Sequence, residues 1–402
     1  MRIVADLHIH SRFSYACSRE MEAERLAWWA KRKGVTLLGT GDFTHPIYLT
    51  YLKQHLEAAE DGVFRLRVGE REVRFLLTVE ITNIFRRAGR LRKTHTLIFA
   101  PSFAVVDRLN VQLAKHGNLA IDGRPTLKCS ARELLMLVKE TAPECEVIPA
   151  HVWTPWFSVL GALSGFDSLA ECYGDDARYI RAVETGLSSD PAMNWRLSSL
   201  DGVALISNSD AHSPRKLARE ANVLDCDLTY TGVMEALLGR DPARFLYTIE
   251  FFPEEGKYHL DGHRQCQVRL FPGETRKVQG LCPVCGKKLT VGVLHRVDLL
   301  ADRNPGYVPP SFVPARHLLP LEEIIAAALG KRPAAKRVQA EYNRLIDAHG
   351  SELAILLECT EAELAERTPL RILQGILQVR RGTLRILPGY DGEYGTIALF
   401  EQ

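Results

Sequence analysis

The sequence predicts an α/β protein whose first two-thirds form a seven-stranded barrel. Up to about residue 249, seven short apolar runs alternate with amphipathic helical patterns, which is typical of parallel strands joined by helices. Polar side chains that bind metals lie at or just after most of these runs. Active sites of α/β barrels and sheets collect at the carboxyl ends of their strands, and seven runs with ligands at one end favour a barrel over a doubly wound sheet.

The predicted strands and helices of this part follow from local signals. The strands are 3–5, 35–39, 75–79, 96–99, 147–149, 182–183 and 203–206. A helix at 20–33 ends before Gly34, a residue type that commonly adopts the left-handed conformation after a helix. A second helix at 130–140 begins with Ser130, and Glu133 three residues later completes the pattern of a capping box.

Length and composition predict a soluble protein of two or three domains. The chain has 402 residues, of which 46% are hydrophobic and 25% charged. The net charge of +2 excludes a positive field over the whole molecule, so any site for a polyanion must be a local cluster. Apolar runs are too short to span a bilayer, no signal peptide is recognisable, and the nine cysteines indicate reduced thiols in the cytoplasm.

Three domains are predicted from changes in composition. Residues 1–252 form the barrel, and residues 253–303, rich in Gly, Cys, His and basic residues, form a small metal-binding module. A Pro-rich connection at 304–310, which a helix cannot cross, leads into the last domain, 304–402. That region is mostly helical, with helices at 321–329, 334–349, 351–357 and 361–367, and ends in turns flanked by short strands.

The strand ends of the barrel carry a set of metal-binding side chains. Its members are His8, His10, Glu80, His95, His151, Asp210 and His212. His8 and His10 point to the same side of a strand, and Glu80, which ends its strand, is suited to bridging two cations about 3.5–4 Å apart. His95 alone opens its run instead of closing it. A single histidine is more often an ordinary core residue, but so many buried polar groups at one rim would be costly without a cation.

The set predicts a hydrolytic site that holds more than one divalent metal, with His8, His10, Glu80 and Asp210 as the candidate catalytic residues. A metal lowers the pKa of bound water toward about 7 and so supplies hydroxide, which makes a serine or cysteine nucleophile unnecessary. Asp6 and Glu184 are candidates for orienting the ligand histidines from behind. The simpler interpretation of Asp6 is a carboxylate that stabilises a turn.

A second metal site is predicted in the segment 253–303. His263 and Cys266 are separated by fifteen residues from a Cys-x-x-Cys-Gly motif formed by Cys282 and Cys285. Three cysteines and one histidine at this spacing are typical of a tetrahedral structural zinc site. The histidine is the uncertain ligand, because His259 is an alternative to His263.

Basic and aromatic residues beside the presumed ligands are candidates for binding nucleic acid. The basic residues are Arg86, Arg87, Arg90, Arg92 and Lys93, which lie between Glu80 and His95. A solvated loop is the ordinary interpretation of such a run, but its attachment at both ends to ligands predicts contact with a phosphate backbone over the site. The aromatic residues are Trp153, Trp156 and Phe157, for which core packing and base stacking are both open.

Five motifs occur in the order found in the PHP (polymerase and histidinol phosphatase) superfamily. They are residues 6–10 (Asp-Leu-His-Ile-His), 39–42 (Gly-Thr-Gly-Asp), Glu80, His151 and 208–212 (Asn-Ser-Asp-Ala-His). The resemblance covers residues 1 to about 250 and implies a distorted (β/α)7 PHP barrel with two or three Zn, Mn, Mg or Fe ions. It further implies that His8, His10, Glu80 and Asp210 hold the first metal, that Glu80, His95 and His151 hold the second, and that His212 serves a third.

The sequence departs from this pattern at the third metal. The superfamily often has a histidine directly after the aspartate of the second motif, whereas Phe43 follows Asp42 and His45 comes two residues later. Asp42 and His45 are therefore the candidates for completing the third site, which is otherwise weak or absent.

Over nearly its full length the chain resembles the endonuclease Q family. The resemblance is carried by residues 184–191, by residues 258–264 with the Cys-x-x-Cys-Gly module, and by residues 296–303. It implies a nucleoid-associated DNA-repair enzyme that extrudes the damaged base and cuts on the 5′ side of deaminated bases (uracil, hypoxanthine, xanthine) and abasic sites. The alternatives are a phosphatase of small phosphomonoesters, which leaves the zinc module unexplained, and a non-catalytic nucleic-acid-binding protein, which leaves the ligand set unexplained.

Overall fold

The computed structural model describes residues 1–400, in which seventeen strands and thirteen α-helices are found. The strands are β1 Arg2–Asp6, β2 Leu37–Gly39, β3 Leu56–Glu60, β4 Val63–Leu66, β5 Arg74–Arg87, β6 Arg90–Ala100, β7 Thr126–Leu127, β8 Glu146–Pro149, β9 Ala182–Glu184, β10 Ala204–Ile206, β11 Ala221–Asp225, β12 Phe245–Glu250, β13 Asp261–His263, β14 Val268–Leu270, β15 Ala315–His317, β16 Arg385–Leu387 and β17 Thr396–Ala398.

The helices cover the sheet and form most of the last eighty residues. They are α1 Ala23–Lys33, α2 Pro46–His55, α3 Phe103–Leu113, α4 Ala131–Thr141, α5 Leu169–Tyr173, α6 Pro191–Asn194, α7 Tyr230–Gly239, α8 Pro272–Lys277, α9 Val293–Leu300, α10 Leu321–Leu329, α11 Lys336–His349, α12 Glu361–Arg367 and α13 Leu370–Arg381. A short π-helix at Ala354–Glu358 follows α11, where an α-helix at 351–357 was expected. Helix α13 was not predicted. No helix among residues 1–400 is long and apolar enough to cross a membrane.

The central sheet mixes parallel and antiparallel pairs. Along it the strands run β15-β12-β11-β1-β2-β5-β4-β3, and β6 pairs with β5 on one side and with β8 on the other. β1, β2 and β5 are mutually parallel, as the alternation of strands and helices predicts. β6 instead runs antiparallel to β5, because the two-residue turn Ala88–Gly89, with φ of 49° and 74°, folds the chain directly back into a hairpin.

A closed seven-stranded barrel is not confirmed. The seven predicted strands are all present, but β9 and β10 pair only with each other, in a separate parallel ladder. The loop after β10 contacts the segment that follows β1 through a single parallel bridge, between Ala211 and Ile9. The Asn208 side chain supports this junction by accepting a hydrogen bond from the backbone N–H of Leu7 at 2.9 Å. The architecture of this part is therefore a mixed α/β sheet that curves around the ends of β1 and β10.

The three-domain division stays a prediction, and several contacts cross its proposed boundaries. β15, from the third segment, pairs in parallel with β12 of the main sheet. The turn at 388–395 docks on the second segment: Asp391 accepts a 2.7 Å hydrogen bond from the backbone N–H of Arg264 and a 2.6 Å bond from the hydroxyl of Thr290. The Tyr390 ring lies against Gly262, where any side chain would collide with it.

Gly262→Ala should destabilise the protein, because the added methyl group would overlap the Tyr390 ring and lie 2.6 Å from the Val268 carbonyl oxygen. Overpacking of this kind costs about 1–3 kcal/mol. Gly202→Ala is the matched control, since nothing lies within 4 Å of its added methyl group. Thermal unfolding of the two variants measures the difference, and equal midpoints would contradict the docking of the 388–395 turn.

Candidate metal centres

The first group of ligands forms where the end of β1 meets the loop after β10. The backbone N–H of His10 donates to the carbonyl oxygen of Ala211 at 3.1 Å, so His8 and His10 are held beside Asp210. Because they are two residues apart in extended chain, both imidazoles point to the same side.

The first cluster consists of His8, His10, Glu80 and Asp210, whose ligating atoms all lie within 4.8 Å of one another. His10 Nε2 lies 3.0 Å from Asp210 Oδ1 and 3.2 Å from Glu80 Oε2. His8 Nε2 lies 3.4 Å from Glu80 Oε2 and 3.6 Å from Asp210 Oδ1. Two imidazole nitrogens and two carboxylate oxygens thus face a common point, as a divalent transition-metal ion requires.

The second cluster consists of Glu80, His95 and His151. Glu80 Oε1 lies 2.6 Å from His95 Nδ1 and 3.0 Å from His151 Nε2. Glu80 is in the middle of β5 and not at a strand end as predicted, because β5 continues into the hairpin with β6. His95 pairs with Thr82, two residues along β5 from Glu80. β6 runs antiparallel to β5, so His95, near the start of β6, lies at the same edge of the sheet as the carboxyl ends of the parallel strands.

Glu80 belongs to both clusters through different oxygen atoms. Oε2 faces the two histidines that follow β1, and Oε1 faces His95 and His151. The side chain is fully buried, so both oxygens are directed by the surrounding protein. A carboxylate in this position is suited to being shared by two metal ions.

Carboxylates behind two of the histidines fix their orientation. Both oxygens of Glu184 lie 3.0 Å from His8 Nδ1, and Glu184 also accepts the backbone N–H of His151 at 2.9 Å. Asp42 Oδ1 lies 3.2 Å from His10 Nδ1. Such contacts select the tautomer that leaves Nε2 free for a metal.

Asp42 is not in either group of metal-ligating atoms, and its role as a metal ligand stays a prediction. Its second oxygen accepts hydrogen bonds from the backbone N–H of Ser11 at 2.7 Å and from the hydroxyls of Ser11 and Ser14 at 2.6 and 2.8 Å. With the first oxygen on His10, the carboxylate is fully engaged. Asp42 therefore positions His10 instead of joining either cluster.

Three residues of the site have left-handed backbone conformations. Asp42, His151 and Asp210 have φ values of 48°, 28° and 48°, a region that residues other than glycine seldom adopt. Gly186, with φ of 63°, lies so close to His151 that any side chain there would overlap its Cβ. Such strain persists only where the surrounding structure over-determines it, which is usual at functional sites.

The electrostatics of the first cluster favour a bound cation. Burial lowers the pKa of His8, but the carboxylates of Glu184, Glu80 and Asp210 raise it well above its ordinary value. Burial raises the pKa of Asp210, but His8 and His10 outweigh that effect and lower it. His8 Nε2 is buried without a hydrogen-bond partner. An unpartnered nitrogen that faces two carboxylates fits a metal ligand, because a cation would satisfy all three groups.

The second cluster presents a neutral imidazole. Burial lowers the pKa of His95 to about 4, against the opposing effect of Glu80. His95 is therefore uncharged at neutral pH, the form that binds metals.

The residues predicted for a third metal lie near the first cluster but outside it. The ring of His212 is 4.6 Å from the ring of His10, and its Nδ1 lies 2.9 Å from the carbonyl oxygen of Asp210. His45 is buried and stacks on Phe13 at 4.3 Å. Neither belongs to a group of metal-ligating atoms among residues 1–400, so the third site stays a prediction.

Asp6 does not contact a ligand histidine, and its predicted role is corrected. Its two oxygens accept the backbone N–H groups of Ser209 at 3.0 Å and Ala218 at 2.9 Å. Burial raises its pKa to about 6. Asp6 therefore anchors the loop that carries Asp210, which is the simpler of the two interpretations.

The predicted structural metal site is assembled from two turns. His263, Cys266, Cys282 and Cys285 bring their ligating atoms within 4.8 Å of one another, and Cys285 Sγ lies 3.4 Å from His263 Nδ1. His263 ends β13, and Cys266 follows it in a short 3₁₀ turn. His259, the alternative ligand, is not in this Cys–His cluster. Four protein ligands leave no open position, which is typical of a structural site.

The basic segment after Glu80 is a hairpin and not a loop. Arg86, Arg87 and Arg90 lie at its exposed tip, on the same two strands as Glu80 and His95. Lys93 is half-buried, with its Nζ 5.0 Å from the ring centre of Phe157. Arg92 is buried, packs over the Phe166 ring and donates to the carbonyl oxygen of Gly165. Its predicted contact with DNA is therefore wrong.

The three aromatic residues after His151 have different environments. Trp153 is fully buried and donates its indole N–H to Asn194 at 2.8 Å, so it is a core residue and cannot stack on a base. Phe157 packs its ring 4.8 Å from that of His95. Trp156 is 44% exposed and makes an edge contact with Tyr258.

Arg124 is a residue of the site that the sequence did not indicate. Its Nη1 donates to Glu80 Oε2 at 3.0 Å across 44 residues of chain. β7 carries the next residues and pairs with β5 at Thr82 and Asn83, which brings Arg124 beside Glu80. No local motif marks it, since the contact depends on this pairing.

Comparison with known families and curated proteins identifies one matching family model and two related proteins. Residues 320–383 match the family model described as the MJ0043 C-terminal domain. Protein MJ0043 of Methanocaldococcus jannaschii is 33% identical over 262 residues, which are 63% of this chain but only 32% of that protein, so this chain spans about a third of its length. Protein YqxK of Bacillus subtilis is 30% identical over 413 residues, covering 98% of this chain and 99% of YqxK.

Two solved structures are similar over nearly the whole chain. One is the lesion-specific endonuclease PfuEndoQ from Pyrococcus furiosus, with a TM-score of 0.88 and 32% identity over 99% of this chain and 95% of that one. The other is endonuclease Q in complex with a 27-mer duplex substrate with an abasic lesion at the active site. It has a TM-score of 0.86 and 31% identity over 100% of this chain and 97% of that one.

The two clusters that share Glu80 and the Cys–His cluster should lose metal independently of each other. Glu80→Gln should deplete both barrel clusters and leave the Cys–His cluster loaded, because an amide lacks the negative charge shared by the two groups of histidines. Cys282→Ser should do the reverse and also lower the folding yield. Glu235→Gln, on a side chain that is 61% exposed, is the control. Elemental analysis measures bound metal, and full occupancy in Glu80→Gln would contradict the shared site.

Proposed function

Because this chain belongs to the endonuclease Q family, we propose that it is a DNA-repair endonuclease that cuts beside damaged nucleotides. Nucleases are hydrolases that act on phosphodiester bonds, and that is the reaction class of this enzyme. The proposed substrates are DNA strands with uracil, hypoxanthine, xanthine or an abasic site, cut on the 5′ side of the lesion. The complex of endonuclease Q with an abasic duplex supports DNA as the substrate.

The observation that carries the proposal is the placement of Glu80 between two clusters of imidazoles. Its two oxygens lie 2.6–3.4 Å from His8, His10, His95 and His151. In this proposal His8, His10, Glu80 and Asp210 hold one divalent ion, and Glu80, His95 and His151 hold a second. Two metal ions held there would supply hydroxide at neutral pH and would neutralise the charge that develops on the phosphate and the leaving oxygen.

The other residues of the site prepare it for this chemistry. Glu184 and Asp42 hold His8 and His10 with their Nδ1 atoms turned away from the cluster. The buried surroundings of the clusters strengthen each electrostatic interaction relative to bulk water. Asp210, which is 27% exposed, is the member of the first cluster that opens to solvent and therefore to substrate.

Binding of DNA is proposed to use the hairpin tip and the exposed indole. Arg86, Arg87 and Arg90 lie about seven residues beyond Glu80, or roughly 20 Å at the rise of an extended strand. At that distance the tip would contact phosphates of a strand that extends away from the cut. Trp156 follows His151 in the chain and is exposed enough to stack on a base or to fill the space of an extruded one.

Asp210→Asn should reduce cleavage by about three orders of magnitude, the effect of losing several kcal/mol of charge stabilisation, while DNA binding stays largely intact. Asp347→Asn, on a side chain that is 74% exposed, is the matched control. Nicking of a uracil-containing duplex on a denaturing gel measures cleavage, and phosphate release from a small monoester is measured in parallel. Retained nicking in Asp210→Asn would refute the site, and turnover of the monoester alone would refute the nuclease.

Arg86→Glu with Arg90→Glu should weaken DNA binding and reduce the slope of log K against log salt concentration by about 2, because two phosphate contacts are lost. The control is Arg240→Glu with Arg244→Glu, at the start of β12 and at the opposite end of the strands. Fluorescence anisotropy across a salt titration measures both. An unchanged slope in the hairpin variant would mean that the tip faces solvent.

A further inference from the structure

A large groove lies beside the candidate metal centre. It is bounded by α2, by the end of α3 and by the chain from Lys115 to Lys128, and its volume is about 1240 Å³. Pockets for small molecules typically have about 300–1,000 Å³. A groove of this size and open shape therefore suits a segment of polymer better than a single small ligand.

Arg124 connects this groove to the metal centre. Its side chain lines the groove and also donates through Nη1 to Glu80 Oε2 at 3.0 Å. The contact with Glu80 uses one of the five N–H donors of a guanidinium group. A phosphate at the inner end of the groove would thus meet Arg124 and the metal ligands together.

The charges along the groove favour an anion. Its basic side chains are Lys115, His116, Arg124 and Lys128. The two acidic side chains of the lining have partners: Asp107 is 2.6 Å from Lys53 Nζ, and Asp122 accepts the backbone N–H of Arg124 at 2.9 Å. With His116 neutral, the lining has three cations against two carboxylates, one of which is paired with Lys53 from outside the lining, so the groove is weakly positive.

Two apolar side chains of the groove are exposed. Val111 and Ile121 both line the groove, with 63% and 79% of their surface accessible. Aliphatic side chains of this kind pack against sugars and the faces of bases, while cations contact the phosphates. The combination matches a nucleic-acid strand better than it matches a free phosphate.

We propose that this groove, here called the Arg124 groove, binds the DNA strand that carries the phosphate to be cut, and that Arg124 binds that phosphate. The inference rests on the proposed nuclease function and adds the path of the strand and the residue that holds its reacting group. The hairpin tip, on the far end of β5, contacts a different stretch of backbone.

The path of the strand is tested by placing a negative charge in the groove. Val111→Glu and Ile121→Glu, each in an Asp210→Asn background, should weaken binding of a fluorescein-labelled uracil-containing duplex by about tenfold, because a carboxylate repels the backbone. Val68→Glu is the matched control, since Val68 is 81% exposed and lies outside the groove. Binding by both groove variants that equals that of Val68→Glu would overturn the proposal.

The phosphate contact is tested with a duplex in which a neutral methylphosphonate replaces the phosphate 5′ to the uracil. Arg124→Gln should weaken binding of the normal duplex by about tenfold and remove most of the penalty that the methylphosphonate imposes, because both changes delete the same contact. Arg124→Lys should recover part of the affinity. An equal methylphosphonate penalty in Arg124→Gln and in the parent protein would overturn this role.

Failure of the inference is distinguishable from failure of the proposed function. A protein with Asp210 intact that neither nicks nor binds the uracil-containing duplex contradicts the function itself. A protein that nicks it normally, with groove variants that bind as tightly as Val68→Glu, contradicts only the Arg124 groove.

Discussion

The shared carboxylate of Glu80 is the contact on which the site depends. A single buried side chain offers one oxygen to the histidines that follow β1 and the other to His95 and His151. Burying four imidazoles and two carboxylates in two adjoining clusters is electrostatically costly unless cations balance them. The fold meets that demand by placing Glu80 in the middle of its longest strand, where neighbouring pairings on both sides hold it rigidly.

The surroundings of Glu80 show how much of the molecule serves this arrangement. Asp42, His151 and Asp210 adopt left-handed backbone conformations, and Asp6 and Glu184 use their buried carboxylates to hold the loops that carry ligands. The left-handed conformations destabilise the chain locally, and the packed sheet beneath them compensates for that cost. The structural Cys–His cluster is held in a similar way by the 388–395 turn, so that the last residues of the chain secure a module more than a hundred residues earlier.

The features proposed to bind substrate lie on opposite sides of the central hairpin. The Arg124 groove approaches Glu80 past β7, whereas Trp156 and Phe157 approach it from the segment that follows β8. The basic tip of the hairpin extends beyond both. A duplex with one strand in the groove and its lesion near Trp156 would have its reacting phosphate over the shared carboxylate. Binding of the lesion would then position that phosphate for cleavage.

Local patterns in the sequence determined the seven strands, the capping box before α4, the helices α10 and α12 and the grouping of metal ligands, because periodicity, caps and residue spacing are properties of neighbouring residues. Only the tertiary structure decided that β6 is antiparallel, that Asp42 lies behind His10, that Trp153 and Arg92 are buried, and that His263 and not His259 joins the cysteines. Arg124 is the clearest case, since its partner Glu80 is 44 residues away. Which distant residues meet depends on strand pairing and on the free energy of the whole fold, which no local pattern contains.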